Sequence, residues 1–379
     1  MISRIVFKAN KNVIMVDFIS QLKEVKKTTD LPLSDNEVSD KLRASELPLF
    51  LWGCGNYAEY VYGILIKNKI AIDGVFIDTD PKSGIVFHGH RVVSFKEVES
   101  NYKRINIIRG NGNIEQEVRY WSMPIVETVY SFFDLMGFGW HINEERIDMY
   151  ADTINAMYNV FEDDTSKESF AAYLKSRYFG SWKYIQPYVC EKMYFPDFIK
   201  LSGRESFIDC GAFDGDTLKL FSNKTSKWAD YFAFEPSIKP YDALCNYIAD
   251  NKLENVHTYK TGVWNKKTTL SFVEGNDISR IVEGEYNGGI KIEVDALDNI
   301  CGNVPVTYVK MDLEGSELDA LEGAKNTILK NKPKLAISLY HKKSHLVDIY
   351  KFIFALNLGY KFYFRVHTKV GSDAVLYAV

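Results

Sequence analysis

The sequence predicts an α/β protein. A Rossmann-like, mostly parallel sheet fills its carboxyl-terminal half, preceded by a smaller Rossmann-like α/β domain and a helical connector. Three observations carry this expectation. Both halves open on strand, glycine turn and helix, at LPLFLWGCGNYAEY and SFIDCGAFDGDTLKLF. Apolar runs of strand length alternate with stretches of helical spacing in each half. Between them, INEERIDMYADTINAMYNVFEDDTSKESFAAYLKSRYFGSW sets apolar and aromatic residues three and four apart with no strand pattern.

A chain of 379 residues exceeds one ordinary core. Residues 1–46 read as an amino-terminal arm of short polar helices. Residues 47–140 form the smaller domain: LPLFLW is a buried strand, Asn56 to Lys69 a helix carrying Tyr57, Val61, Ile64 and Leu65 on one face, and IDGVFIDTD a second strand ending in acids. RVVSFKEVES and INIIRGNGN continue the alternation. Residues 141–200 are the helical connector. In 201–379 the strands are SFIDC, YFAFE, VHTYKTGVW, TLSFV, KIEVDAL, VTYVKMD, KLAISLY, YKFYFRV and AVLYAV. Helices at Lys239–Asp250, Ser316–Leu329 and Lys343–Leu358 separate several of them, and the last two strands form an antiparallel edge pair.

Composition bounds the function. Hydrophobic residues at 46% and charged residues at 25% are ordinary for a globular protein. A net charge of −4 argues against a binder of nucleic-acid backbone. The opening MISRIVFKANKNVIMVDFIS has neither the apolar run nor the cleavage site of a signal peptide. No stretch approaches the roughly 18 consecutive apolar residues of a membrane span. Five scattered cysteines without a CxxC pair speak against a disulfide framework or zinc site. A soluble cytoplasmic protein, with a homodimer compatible, is the expectation.

The chemistry sits in three stretches. FIDCGAFDGDT crowds Asp209, Asp214 and Asp216 around Gly211 and Gly215 at a strand tip, where open α/β sheets bind ligands. Gly211 admits close backbone approach. Asp209 would repel a pyrophosphate; it suits an ammonium or sulfonium, or organises the loop through backbone amides. A turn that only caps a helix is the plain alternative. YFAFEPS then places Glu235 at the next strand tip, 26 residues on, where a carboxylate accepts from ribose hydroxyls. An adenosine with a cationic amino-acid tail, such as S-adenosylmethionine, fits both. Third, VTYVKMDLEGSELDALEGA brings Asp312, Glu314 and Glu317 around Gly315. Asp312 and Glu314 could take a hydroxyl proton or hold a metal, whereas Glu317 also suits a helix amino terminus. LYHKKSH puts His341 beside these acids as a base or substrate contact, with Lys342, His345 and His367 as further substrate-side candidates. GNDISR, with Asp277, Ser279 and Arg280, reads as a lid or an ordinary hairpin loop.

These stretches, in order with TGVWN and LAISLYHKKSHLVDI, resemble the FkbM-type S-adenosylmethionine-dependent methyltransferases over roughly residues 205–379. Met311, Leu313 and Ser316 depart conservatively from that pattern. The resemblance implies a class I methyltransferase sheet and O-methylation of a hydroxyl on a sugar, glycan or related natural product. It implies that Asp209, Gly211 and Gly215 line the cofactor's methionine end, Glu235 its ribose, and Gly262 and Val263 its adenine, with Ala212, Asp214 and Thr217 as further cofactor-binding candidates. Asp312, Glu314 and His341 would serve catalysis.

The first half carries its own fingerprint, Gly53-x-Gly55-x-x-Ala58 with Asp78 at the next strand tip. This predicts a site for NAD or a nucleotide-sugar, or a scaffold that has lost its ligand and serves packing or dimerisation. An NAD- or nucleotide-sugar-dependent enzyme and a non-catalytic assembly module are therefore the rival functions.

Overall fold

The structure, a computed structural model, describes residues 16–26, 35–111, 119–120, 123–130, 142, 144–179, 184–273, 280–282, 290–368 and 373–379. A six-stranded sheet comes first: β1 (Leu49–Trp52), β2 (Gly74–Ile77), β3 (Val86–Phe87), β4 (His90–Ser94), β5 (Ile105–Arg109) and β6 (Val126–Tyr130), in the order β3-β4-β2-β1-β5-β6. Only β3 runs antiparallel to its neighbour. The wholly apolar LFLW of β1 is buried along its length, as a central parallel strand must be.

The second half forms β7 (Ser206–Cys210), β8 (Asp230–Phe234), β9 (Val256–Tyr259), β10 (Gly262–Val263), β11 (Thr268–Val273), β12 (Arg280–Val282), β13 (Ile290–Asp295), β14 (Tyr308–Met311), β15 (Lys334–Ser338), β16 (Phe362–Val366) and β17 (Ala374–Ala378). Seven of these make the main sheet, ordered β9-β8-β7-β14-β15-β17-β16. Six point the same way, and β17 alone runs antiparallel, between β15 and the edge strand β16. Strand order reverses between β7 and β14, which makes the tips of these two strands the binding edge.

Two elements depart from the sequence expectation. VHTYKTGVW is two strands: β9 pairs with β8, and β10 crosses to β13 in a separate four-stranded sheet, β10-β13-β11-β12. Ser316–Leu329 is two helices, Glu317–Gly323 and Lys325–Asn331. Asp298 accepts from the amides of Asn326 (3.0 Å) and Thr327 (2.7 Å), so it caps the second helix from outside.

Helices Glu144–Val160 and Asp164–Phe179 close the open edge of the main sheet. Phe161 and Val189 make isolated parallel bridges to Phe362 and Val366 of β16. Arg365 donates to Ser166 Oγ (2.7 Å) and Asp163 Oδ2 (2.7 Å), and the Phe364 amide donates to Ser166 Oγ (3.0 Å). An edge left bare would template pairing with another chain. Helix Phe18–Lys26 of the arm docks on the same layer, where Phe18 stacks on Tyr158 at 4.8 Å. Among the described residues no helix is long and apolar enough to cross a membrane.

Candidate active site

Two glycine loops meet at the strand-order reversal. Gly211, after β7, has φ +83°, and a Cβ there would lie 2.0 Å from the Asp312 carbonyl oxygen after β14. Only glycine lets the two loop backbones touch. The amides of Gly211 (3.0 Å) and Ala212 (2.9 Å) both donate to the Phe234 carbonyl, which ties the first loop to β8. In the second loop Glu314 (φ +52°) and Gly315 (φ +100°) are both left-handed, a costly setting for a glutamate. A cleft of about 430 Å³ opens between the loops.

Of the residues expected around a cofactor, Gly211, Glu235, Gly262 and Val263 line this cleft, and so does Asp216. Glu235 is 6% exposed; its carboxylate accepts from the amides of Ser237 (2.8 Å) and Phe213 (3.1 Å), and burial raises its pKa. Asp214 is exposed away from the lining, while Ala212, Gly215 and Thr217 are buried beneath the loop. Asp209 is fully buried behind it. Its carboxylate lies 2.9 Å from Lys310 Nζ and accepts from Tyr231 Oη (2.6 Å).

Lys310 is a cleft residue that the sequence reading did not single out, as are Tyr194 and Asp373. It donates to the Gly211 carbonyl (2.6 Å), sits 5.2 Å from the Tyr194 ring centre and lines the cleft. Burial alone would lower its pKa, but the charges of Asp209, Asp312 and Asp216 outweigh this and keep the ammonium charged. The available signal was the lone lysine inside the buried strand YVKM, since lysine is almost never buried without a partner.

On the opposite wall stand the acids. Asp312 accepts from Tyr194 Oη (2.7 Å) and Tyr340 Oη (3.2 Å). His341 Nδ1 lies 2.7 Å from Glu317 Oε1, and its Nε2 faces Asp312 Oδ1 (3.5 Å) and Glu314 Oε2 (3.4 Å). Glu317, fully buried, also accepts from the amides of Leu313 (2.8 Å) and Gly315 (3.3 Å), with His345 Nδ1 at 3.0 Å from its second oxygen. Burial would lower the His341 pKa, yet Glu317, Asp312 and Glu314 raise it to about 9. Burial, resisted by His341 but aided by Asp312 and Glu317, lifts Glu314 to about 7. Asp373, also on the cleft wall, rises to about 6 through burial and the Asp312 charge. His341 is therefore an imidazolium at neutral pH, clamped among carboxylates.

The other substrate-side candidates lie elsewhere. His367 bridges the Cys190 carbonyl (2.6 Å) and Tyr377 Oη (2.7 Å), away from the cleft lining, and burial lowers its pKa to about 4. Lys342 packs its stem against Gly315. Asp277 and Ser279 lie outside the described residues, and Arg280 belongs to β12.

In the first sheet, Gly53 (φ +117°) faces the Gly110 carbonyl, which a Cβ would approach to 2.5 Å. Gly55 precedes helix Asn56–Lys67, and Ala58 is buried. Asp78 is already engaged on both oxygens: Trp52 Nε1 donates at 2.9 Å and Tyr120 Oη at 2.5 Å.

The sheet order, the two touching glycine loops and the acid-walled cleft are those of a Rossmann-like fold with a ligand site at its strand-order reversal. Residues 209–362, less than half of the chain, match the family model described as Methyltransferase FkbM domain, which supports an S-adenosylmethionine-dependent methyltransferase. The crystal structure of Methyltransferase FkbM from Methylobacillus flagellatus KT is similar at TM-score 0.73 and 21% identity, covering 96% of this chain and 98% of that one. At that identity the likeness speaks for the fold. An rRNA methylase from Streptococcus thermophilus (TM-score 0.31, 13% identity) covers 47% of this chain and 87% of its own. Aeropyrum pernix fibrillarin with bound S-adenosyl-L-methionine (TM-score 0.29, 13% identity) covers 48% and 70%. No curated protein matches the sequence.

Proposed function

We propose that the protein O-methylates a hydroxyl of a sugar, glycan or related natural product, using S-adenosylmethionine bound in the cleft between the two glycine loops. The observation that carries this reading is the placement of Glu235 and the Asp312–Glu314 pair on one cleft, at the strand-order reversal. Glu235 would accept from the ribose hydroxyls, Gly262 and Val263 would flank the adenine, and Gly211 with Asp216 would face the methionine end. Asp209, Ala212, Asp214, Gly215 and Thr217 then shape that loop from beneath and outside. The acid-rich wall suits a sulfonium and an ammonium, and it disfavours phosphate.

In the reaction a substrate oxygen attacks the methyl carbon in line with the carbon–sulfur bond. The oxygen–carbon bond forms, the broken bond's electron pair stays on sulfur, and the hydroxyl proton passes to the carboxylates of Asp312 and Glu314. His341, protonated among them, positions these groups; it does not accept the proton. Asp312→Asn should lower turnover about 10²-fold or more, with S-adenosylmethionine affinity little changed. Transfer of labelled methyl groups across a panel of sugars and phenols measures both acceptor and rate. Parental turnover in Asp312→Asn would remove the assignment.

The working division of the chain is an arm (1–46), a Rossmann-like scaffold (47–140), a helical connector (141–200) and the methyltransferase domain (201–379), in a cytoplasmic setting. We do not extend the proposal to NAD or a nucleotide-sugar at Gly53, Gly55, Ala58 and Asp78. No observation supports a ligand there, and the Asp78 carboxylate already accepts from Trp52 and Tyr120.

A further inference from the structure

We propose that Asp312, Glu314 and His341 form a divalent-cation site on the acceptor side of the cleft, with Glu317 orienting the imidazole. The inference deepens the methyl-transfer reading and rests on it for the site's purpose. It begins with one nitrogen. The His341 side chain is 7% exposed, and its buried Nε2 has no hydrogen-bond partner. That nitrogen is aimed between Asp312 Oδ1 at 3.5 Å and Glu314 Oε2 at 3.4 Å. Both distances are long for N–H···O bonds, which centre near about 2.9–3.0 Å. Each of these two imidazole–carboxylate pairs suits ligands of one cation, since donors about 2.1 Å from a tetrahedral ion stand about 3.4 Å apart.

The surroundings follow the pattern of a histidine ligand. Nδ1 is taken by Glu317 Oε1 at 2.7 Å, which fixes the tautomer that presents Nε2 to a metal. Glu317 belongs with Asp312 and His341 to a trio whose donor atoms all lie within 4.8 Å of one another; its Oε1, which also receives the Leu313 and Gly315 amides, is assigned to orienting the ring. Tyr194 and Tyr340 donate to Asp312, as partners of a ligating carboxylate do. Glu314 is 45% exposed and Asp312 20%, so an ion can enter from the cleft and keep open positions for hydroxyls. One imidazole and two carboxylates favour Mn²⁺, Fe²⁺ or Zn²⁺ over softer ions. The cation would replace the proton that these carboxylates otherwise hold on His341. When bound, such a cation would acidify an acceptor hydroxyl; with Asp312 and Glu314 then engaged as ligands, Asp373 on the cleft wall would take the proton in their place.

The test titrates Mn²⁺ alone into chelator-treated full-length protein, read by calorimetry and by the electron paramagnetic resonance of free Mn²⁺. One Mn²⁺ per chain is expected, with binding weakened about 10–100-fold by Glu317→Gln and further by His341→Ala. Glu314→Gln, at a half-exposed position that leaves the fold intact, should also weaken it. No binding at millimolar Mn²⁺, or parental binding in both His341→Ala and Glu314→Gln, overturns the site. S-adenosylmethionine binding by the metal-free chain is measured alongside. If it persists while Mn²⁺ fails to bind, the cation site falls and the methyltransferase reading stands.

Discussion

Lys310 and Asp209 show how single residues set this site. Each is almost wholly removed from water, and each is tolerated because the other lies 2.9 Å away. Lys310 holds the Gly211 carbonyl, so loop geometry depends on the buried charge pair. Lys310→Met should therefore cost about 3–5 kcal/mol by stranding a buried carboxylate, and adding Asp209→Asn should restore part of that loss. Urea denaturation of the single and double variants checks this; a single variant as stable as the parent would refute it. Gly211 offers a second trial. Alanine there meets the Asp312 carbonyl in a left-handed backbone, so Gly211→Ala should lose cofactor binding and at least about 1–3 kcal/mol of stability, read by thermal melting and calorimetry. The sequence showed Gly211, Glu235, Asp312 and His341 as candidates because their strand-tip positions follow from local pattern. It did not show that Asp209 faces inward or that Asp78 accepts from Trp52 and Tyr120. Those facts depend on side chains 22 to 101 residues away meeting across strands, such as Tyr231 and Lys310 with Asp209.

At the scale of elements, the main sheet was legible because its strands are short apolar runs that end at glycine, proline or acid. SFIDC, KLAIS and AVLYA are buried along almost their whole length. The crossing of VHTYKTGVW between two sheets was not legible, since nothing local marks where the partner changes. Nor did VETVY of β6, half polar in composition, stand out as a strand. One carboxylate fastens the start of β7 to its neighbours: Glu205, fully buried, accepts from Thr307 Oγ1, the Ser202 amide (2.7 Å) and Lys334 Nζ (3.0 Å). Burial alone would raise its pKa, but these donors outweigh it and hold the group below the usual glutamate value. A depressed pKa means stability present above the unfolded value of about 4.3 and lost as pH falls through the folded one. Glu205→Gln should thus cost about 1–3 kcal/mol at pH 7, and the gap to the parent should close below about pH 4. Denaturation midpoints across that range decide it; a gap that stays constant would contradict the linkage.

Across the whole molecule, two sheets of similar strand–turn–helix logic put their glycine turns to different uses. In the first, the turn at Gly53 faces backbone at Gly110, and the tip carboxylate is bonded to aromatic donors of its own core. In the second, the turn opens on a cleft of about 430 Å³ with carboxylates on both walls and one buried lysine between them. The helices between the sheets cover the β16 edge, and the binding edge at β7 and β14 lies inside the same sheet. The central claim is that this second cleft binds S-adenosylmethionine through Glu235. Calorimetric titration of S-adenosylmethionine into the parent chain and into Glu235→Ala tests it most directly. The account predicts one cofactor per chain, and an affinity about tenfold or more weaker in the variant, because charge-assisted hydrogen bonds worth about 1.5–3 kcal/mol are lost. Absence of binding at millimolar S-adenosylmethionine, or equal affinity in the two proteins, would contradict it.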